Sequence, residues 1–159
     1  MEDSSENKNL VKQRYRALNE HNLDEVLQFY ADDYTTTLIH PSGEEETIGT
    51  EQVKSHLAEF ITGFPDIEFK IKTMVSEDYR VLIHYRATGT HEGEFLSIES
   101  TGNNVSMQGY ASYRFGDGKI VETDGHISLF HGLRQMGIEF PIEDVEGPGD
   151  SPEFLGTSN

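Results

Sequence analysis

The feature that most constrains the fold is a change in hydrophobic period near Ile67. Before this residue, apolar side chains recur every three to four positions, which is typical of amphipathic helices. After it, as far as about Phe130, apolar and polar side chains alternate, which is typical of strands with one buried face. Because helices come first and strands follow, the sequence predicts an α+β fold, with a curved antiparallel sheet packed against three N-terminal helices.

The three predicted helices are identified by their apolar stripes and their ends. The first carries its stripe at Leu10, Val11, Tyr15 and Leu18. The second has Asn22 as its N-cap, with Glu25 as the capping-box partner, and its apolar face continues to Tyr30. The third begins near Thr50 and ends before Pro65, because proline cannot continue the hydrogen-bond ladder.

Strands are predicted by β-branched content and alternation. A short strand is expected from Tyr34 to Ile39, before the third helix. The later strands are expected over residues 67–75, 81–88, 105–115 and 119–130, followed by a helical turn over 131–137. In the first of them, Ile67, Phe69, Ile71, Thr73 and Val75 are expected on the apolar face, and Met74 on the wet face.

A chain of 159 residues with 35% hydrophobic content can build one core and is short for two domains. We therefore predict a single domain over residues 9–140, after a disordered leader over residues 1–8. Residues 141–159 form an acidic tail with too little apolar surface to offset the entropy of ordering. We expect that tail to be mobile.

The charge balance is strongly acidic. There are 12 basic and 29 acidic residues, which gives a formal net charge of −17. Two interpretations stay open: adaptation to a salty, halophilic cytoplasm, or an acidic face for a basic partner. The first predicts a melting temperature that rises with KCl concentration, and a fall would contradict it. Nucleic acid is not an expected partner, because phosphate contacts need patches of Lys and Arg.

Several classes of protein are disfavoured by what the sequence lacks. Without cysteine there is no disulfide framework, thiolate metal site or cysteine nucleophile. The N-terminal residues are acidic and polar, unlike a secretory signal, and no apolar run reaches the roughly 18 residues of a membrane span. No pair of histidines has a metal-binding spacing. The sequence therefore predicts a cytoplasmic protein with no membrane partner, no metal and no redox cofactor.

Four segments carry a resemblance to a known family: residues 89–95 (GTHEGEF), 101–106 (TGNNVS), 117–122 (DGKIVE) and 133–137 (LRQMG). Their order and spacing resemble the SnoaL-like polyketide cyclase family of the nuclear-transport-factor-2-like, or cystatin-like, superfamily, over about residues 9–140. The resemblance implies a cone-shaped fold, in which a bent sheet wraps around the helices and leaves an apolar pocket for a small-molecule ligand.

The resemblance also implies positions for catalytic residues. In characterised cyclases of the family, an aspartate on the last strand is the acid/base of an aldol closure, assisted by a histidine on the preceding strand. Carried over through the DGKI segment, the aspartate falls at Gly125 and the histidine at Ala111. A second acidic position of the family falls at Ser128, and its usual tryptophan at Asp124. The catalytic carboxylate is therefore expected to be absent.

Two titratable residues near this position, Asp124 and His126, allow an alternative. Alternation places both on the face opposite Gly125, which favours a polar outer or dimer-facing surface. A bulge at Gly125 would instead turn Asp124 into the pocket beside His126, as a general base with an orienting partner. A Ser-His-Asp triad with Ser128 is disfavoured, because residues two apart on a strand project in parallel.

Aromatic side chains on the apolar faces are the expected wall of the pocket. These are Tyr15, Tyr30, Tyr34, Phe60, Met107 and Tyr113, the methionine included for its place on the same face. By the resemblance, His40 and His91 are added as ligand contacts, whereas His56 and His84 are expected to be structural. Such a wall suits a flat, hydrophobic, oxygenated ligand.

Three functions remain from the sequence. The first is a domain that binds a small hydrophobic oxygenated molecule. The second is a cofactor-independent cyclase, isomerase or hydrolase, a polyketide-cyclase-like lyase or isomerase that uses Asp124 and His126. The third is a dimeric scaffold module. A homodimer is expected in all three, because an open sheet face that carries aromatics is usually covered.

Overall fold

The computed structural model describes residues 4–40 and 42–140. Its elements, in chain order, are α1 (Ser4–Asn19), α2 (Leu23–Leu27), β1 (Tyr30–Ile39), β2 (Glu45–Ile48), α3 (Thr50–Gly63), β3 (Glu68–Glu77), β4 (Arg80–Thr90), β5 (Asn104–Gly116), β6 (Lys119–Ile127) and α4 (Leu129–Gln135). The strands form one open six-stranded sheet in the order β2-β1-β6-β5-β4-β3. Helices pack against this sheet, which confirms the predicted α+β fold.

The sheet is mixed, which corrects the prediction that it is antiparallel. Strands β3 to β6 form an antiparallel meander, and β2 pairs antiparallel with β1. However, β6 lies parallel to β1, with Tyr30 opposite Ile120 and Thr36 opposite Thr123. The alternating pattern predicts five of the six strands, but it carries no information on which distant strands become neighbours. Only the structure therefore reveals that β1 and β6 are parallel neighbours.

Element boundaries differ from the prediction at the N-terminal end. Helix α1 begins at Ser4, so residues 4–8, which were assigned to the leader, are helical. Asn7, near the start of this helix, is buried, with 2% of its surface exposed. Strand β1 begins at Tyr30, which the helical pattern had placed on the second helix. Strand β2 was missed because Glu45, Glu46 and Thr47 are polar and exposed. The tail over 141–159 lies outside the described residues.

The predicted cap of α2 is confirmed. Asn22 accepts a hydrogen bond from the backbone N–H of Glu25 at 3.2 Å. The Asn22 amide donates in return to the Glu25 carboxylate at 3.0 Å. The side chain of Asn22 thus satisfies a backbone donor that has no partner inside the helix. This fixes the short helix between α1 and β1.

An irregularity in β3 overturns part of the predicted alternation. The register with β4 shifts between Ile71 and Thr73. One extra residue in a strand moves every later side chain to the other face. Val75 is therefore 55% exposed instead of buried, while Met74 packs against the core.

The core lies between the helices and one face of the sheet, which we call the inner face. Helix α1 contributes Val11, Tyr15, Ala17 and Leu18 to this core, and the strands contribute Phe69, Val81, Ile83, Tyr113, Phe115 and Ile120. The opposite, outer face carries exposed apolar side chains, including Leu82 and Tyr110. Within the described residues, no helix combines the length and the apolar character needed to cross a membrane.

Candidate functional site

A cavity of about 290 Å³ lies between α1, β1, α3 and the inner face of β5 and β6. Five of the predicted wall residues line it: Tyr15, Tyr30, Tyr34, Phe60 and Tyr113. Apolar side chains complete most of the wall, namely Leu18, Leu38, Ile48, Val53, Leu57, Phe69 and Ile127. The cavity is therefore mainly aromatic and aliphatic, with polar groups at a few fixed points.

Hydroxyl groups form those fixed points. The Tyr15 and Tyr113 hydroxyls are hydrogen bonded to each other at 2.7 Å. The Tyr34 hydroxyl is bonded to the Thr123 side chain. Thr36 donates to the backbone carbonyl of Thr123 at 2.6 Å. Side chains held in this way keep their orientation when a ligand enters.

Four tyrosines of the cavity are neutral phenols at physiological pH. Burial raises the pKa of Tyr34 to about 12. Burial also raises the pKa of Tyr15, Tyr85 and Tyr113 above the ordinary value for tyrosine. These hydroxyls can donate or accept hydrogen bonds, but none of the four is a ready general base.

Arg14 is the residue of this site that the sequence analysis missed. It is 5% exposed and lies against the cavity. Its Nε donates to the Tyr30 hydroxyl at 2.8 Å. Its guanidinium carbon lies 5.0 Å from the ring centre of Tyr15, 5.3 Å from that of Tyr113 and 5.6 Å from that of Tyr30. Three aromatic rings therefore surround one cation.

The sequence does contain a signal that Arg14 faces the core, namely its position in α1. It lies three residues after Val11 and four before Leu18, inside the apolar stripe. A charged residue within such a stripe faces the core unless the helix is irregular. The stripe predicted for this helix, Leu10, Val11, Tyr15 and Leu18, does not include Arg14.

No carboxylate among the described residues pairs with Arg14. The ion pairs in the described residues are formed by other basic side chains, which lie on the surface: Lys54, Arg80, Arg114 and His40. Burial acts to lower the pKa of Arg14, but the oxygens of Tyr113, Tyr30 and Tyr15 outweigh it and the pKa is raised. The guanidinium is thus a buried cation whose neighbours are phenols rather than an acid.

Asp124 and His126 alternate away from the inner face. The pairing of β5 with β6 is regular from Gly109 opposite Ile127 to Arg114 opposite Glu122, so there is no bulge at Gly125. The register shift of β6 falls instead between Ile120 and Glu122. Because opposed residues share a face, Asp124 lies with Ser112 and His126 with Tyr110 on the outer face.

Both residues nevertheless border the cavity as well as a depression on the outer face. The sheet is thin here, because Gly125 and Ala111 present no side chain larger than a methyl group between the two faces. No hydrogen bond or ion pair joins Asp124 to His126 within the part of the chain described. The acid/base hypothesis therefore requires these groups to act from the outer side of the sheet.

The carried-over catalytic positions, Gly125 and Ala111, lie directly opposite each other and line the cavity. Neither has a titratable side chain. A Cβ atom at Gly125 would lie 2.5 Å from the carbonyl oxygen of Tyr110 and 3.1 Å from the Ala111 Cα. The backbone itself excludes a side chain at this position unless the strands shift.

Two predicted ligand contacts, His40 and Met107, do not line the cavity. His40 follows β1 and lies 2.9 Å from the carboxylate of Glu46 in an exposed pair. Met107 is buried beneath α4, where a Cβ at Gly132 would come within 2.5 Å of its sulfur. Alternation placed Met107 correctly on the inner face, but it could not show that α4 covers this end of the strand.

His91, the third such contact, is fully buried away from the cavity. Its Nδ1 lies 3.0 Å from the Thr101 hydroxyl, and its ring packs against Phe64. Its Nε2 is buried and has no hydrogen-bond partner in residues 4–40 and 42–140. In this position His91 supports the loop between β4 and β5.

The two histidines predicted to be structural lie on different sides of the sheet. His56, on α3, lines the cavity and places an imidazole on the side of the cavity that the helices form. His84, on β4, is bonded to Gln108 at 2.7 Å and stacks on Tyr110 on the outer face. No group of three His, Asp or Glu side chains suited to a metal ion occurs in the described residues.

Solved structures with the same fold cover most of the chain. AclR from Streptomyces galilaeus, a proposed hydroxylase, is 26% identical over 85% of this chain and 98% of its own, with a TM-score of 0.76. IdmH from Streptomyces antibioticus, a proposed polyketide cyclase, is 24% identical over 82% of this chain and 98% of its own, with a TM-score of 0.70. A SnoaL-like protein from Jannaschia sp. CCS1 is 19% identical over 88% of this chain and 100% of its own, with a TM-score of 0.74.

No curated protein matches the sequence significantly. The family model for SnoaL-like polyketide cyclases matches residues 9–136, which is most of the domain predicted from the sequence. Fold and sequence therefore agree, and the chain belongs to the SnoaL-like polyketide cyclase family.

Proposed function

We propose that this domain binds a small, flat, hydrophobic, oxygenated molecule in the cavity under α1 and α3, without a catalytic carboxylate inside it. The observation that carries the proposal is the wall: aromatic rings, fixed hydroxyls and one guanidinium, with Gly125 and Ala111 at the family's acid/base positions. An apolar cavity with a few convergent polar groups is typical of a ligand site. The presence of such a cavity favours ligand binding over the scaffold function.

The experiment compares two leucine substitutions on adjacent residues of β5. Ala111→Leu adds three carbons on the inner face, where they would occupy the cavity. Ser112→Leu adds a similar bulk on the outer face of the same strand. The probe is β-naphthamide, a flat uncharged molecule with one polar end, titrated by calorimetry.

We expect saturable binding to the wild-type protein and to Ser112→Leu. Ala111→Leu should bind at least about tenfold more weakly, because filling a site removes contacts worth 1.4 kcal/mol or more. The melting temperatures of both variants provide the control for folding. Absence of saturable binding to the wild type, or equal affinity for both variants, would reject the proposal.

The alternative function is a cofactor-independent cyclase, isomerase or hydrolase. It is favoured by one observation, that Asp124 and His126 border the thin wall of the cavity. Asp124→Asn should then keep probe affinity but abolish turnover of a polyketide substrate. Full turnover in this variant would remove Asp124 from the mechanism.

We also propose that two copies of the chain pair through the outer face of the sheet. This face carries Val75, Leu82 and Tyr110, which are each about half exposed or more. A depression lined by these residues extends to Asp124 and His126. Apolar side chains concentrated on one open sheet face favour an interface. Sedimentation of the protein only as an 18.0 kDa monomer would contradict this proposal.

A further inference from the structure

Arg14 has hydrogen-bonding capacity that the described residues leave unused. Its Nε is taken up by the Tyr30 hydroxyl. No hydrogen bond from Nη1 or Nη2 to a residue in 4–40 or 42–140 occurs in the structure. These two nitrogens lie in one plane and carry donors in a fixed fork. The fork lies at a cavity wall, since Arg14 lines the cavity while being 5% exposed.

The surroundings of Arg14 compensate its charge only in part. The faces of the three surrounding tyrosine rings stabilise the cation by their quadrupoles. Neutral phenols, however, carry no counter-charge, and a buried ion without one has a high desolvation cost. A ligand that brings negative charge to this end of the cavity would remove that cost.

The remaining wall defines the other end of such a ligand. Away from Arg14, the cavity is bounded by α3, which contributes Val53, Leu57 and Phe60. These side chains offer apolar contact, and His56 of the same helix also lines the cavity. The hydroxyls of Tyr15 and Tyr113 lie beside the guanidinium and are hydrogen bonded to each other, so one of the two keeps a proton that it can donate to an oxygen there. The wall is thus cationic at Arg14 and mainly apolar along α3, while Asp124 and His126 border it on β6.

We infer that the cavity selects flat apolar molecules that carry a carboxylate, and that the Arg14 guanidinium binds this carboxylate through its two terminal nitrogens. Planar carboxylates match the arginine fork in geometry and charge. The inference rests on the proposed ligand-binding function, because it names the chemical class that the same cavity takes.

The test uses an isosteric pair of probes, β-naphthoate and β-naphthamide, which differ in charge but hardly in shape. Both are titrated by calorimetry at physiological ionic strength into wild type, Arg14→Met, Arg14→Lys and Arg16→Met. Arg16 lies exposed on the same helix, so Arg16→Met changes the net charge as Arg14→Met does without altering the cavity.

We expect wild type to bind the carboxylate about ten- to a hundredfold more tightly than the amide, as charge-assisted hydrogen bonds imply. Arg14→Met should lose this preference while its affinity for the amide changes by less than about threefold. Arg14→Lys should keep part of the preference, because it retains the charge without the fork. Arg16→Met should behave as wild type.

The outcomes separate this inference from the proposed function. If the amide binds and the carboxylate binds no more tightly to wild type, the inference is overturned and ligand binding stands. An equal preference in wild type and Arg14→Met also overturns it. If neither probe binds, both ideas fail together. If Arg14→Met does not fold, the affinities of the two probes for wild type and for Arg14→Lys test the inference without it.

Discussion

Arg14 is the residue on which the character of the cavity depends. A leucine at this position of α1 would leave a wall of rings and hydroxyls, suited to any apolar molecule. The guanidinium instead gives one end of the cavity a fixed positive charge, although the whole chain has a net charge of −17. The charge at a buried site can thus be opposite in sign to the net charge of the chain.

Four tyrosines of the cavity should make stability fall at alkaline pH. Burial raises the pKa of Tyr15, Tyr34, Tyr85 and Tyr113 in the folded state, in the case of Tyr34 to about 12. The unfolded chain ionises near the ordinary tyrosine value of about 10. The stability contributed by these neutral phenols is therefore complete below about pH 10 and is lost as the pH rises towards 12 and above.

Absorbance of tyrosinate and circular dichroism, recorded together during an alkaline titration, measure this effect. Part of the tyrosinate signal should develop only as the circular dichroism of the folded state is lost. Ionisation of all seven tyrosines while the dichroism is unchanged would contradict the placement of these four rings.

At the scale of elements, the register of β6 against β5 decides which residues the cavity can use. Alternation within β6 correctly placed Gly125 inward and Asp124 outward, because the pairing is regular across these residues. The same reasoning failed in β3, where one extra residue near Lys72 reverses the faces. A bulge depends on packing against neighbouring strands, so the period of a single strand does not reveal it.

Strand β3 lies at the edge of the sheet, and α1 protects it through Asn19. The Asn19 side chain accepts a hydrogen bond from the Phe69 backbone N–H at 2.8 Å and donates to the Phe69 carbonyl at 2.9 Å. One amide thus satisfies both free backbone groups of an edge residue, as a further strand would. This contact holds the helix of Arg14 against the sheet.

Asn19→Ala should therefore lower the free energy of unfolding by about 1 kcal/mol, since two hydrogen bonds at a partly solvated site are lost. Asn9→Ala, an exposed position on the same helix, is the control and should cause no loss. Chemical denaturation of the two variants measures the difference. Equal stabilities would show that the contact with Phe69 contributes nothing.

At the scale of the whole molecule, one sheet separates two proposed binding surfaces. The inner face forms the cavity that we propose as the ligand site, and the outer face is the proposed dimer interface. They approach most closely at Gly125 and Ala111, where only backbone and one methyl group lie between them. Contact between subunits at Asp124 or His126 would thus lie next to the wall of the cavity.

Leu82→Glu should convert a dimer into a monomer, because it places a charge in the middle of the outer apolar surface. Ile39→Glu, at another exposed apolar strand position outside that surface, should leave the dimer intact. Sedimentation velocity distinguishes the two species. A Leu82→Glu protein that stays dimeric would place the interface elsewhere.

The sequence was sufficient for the fold class and for most of the cavity wall, because periodicity encodes which side chains face the core. Five of six predicted wall residues line the cavity, since each lies on an inward strand or helix face. It was insufficient for the cover of α4 over Met107 and for the parallel pairing of β1 with β6, because both depend on contacts between elements far apart in the chain. For Arg14, the sequence shows its place in the apolar stripe of α1 but not the three rings that surround it.

We propose that ligands bind in the cavity under the helices and not on the outer face. Nuclear Overhauser effects between bound β-naphthamide and the methyl groups of the protein test this directly. We expect contacts with Ile48 and Leu57, which line the cavity. Contacts with Val75 and Leu82 alone, which line the outer depression, would contradict it.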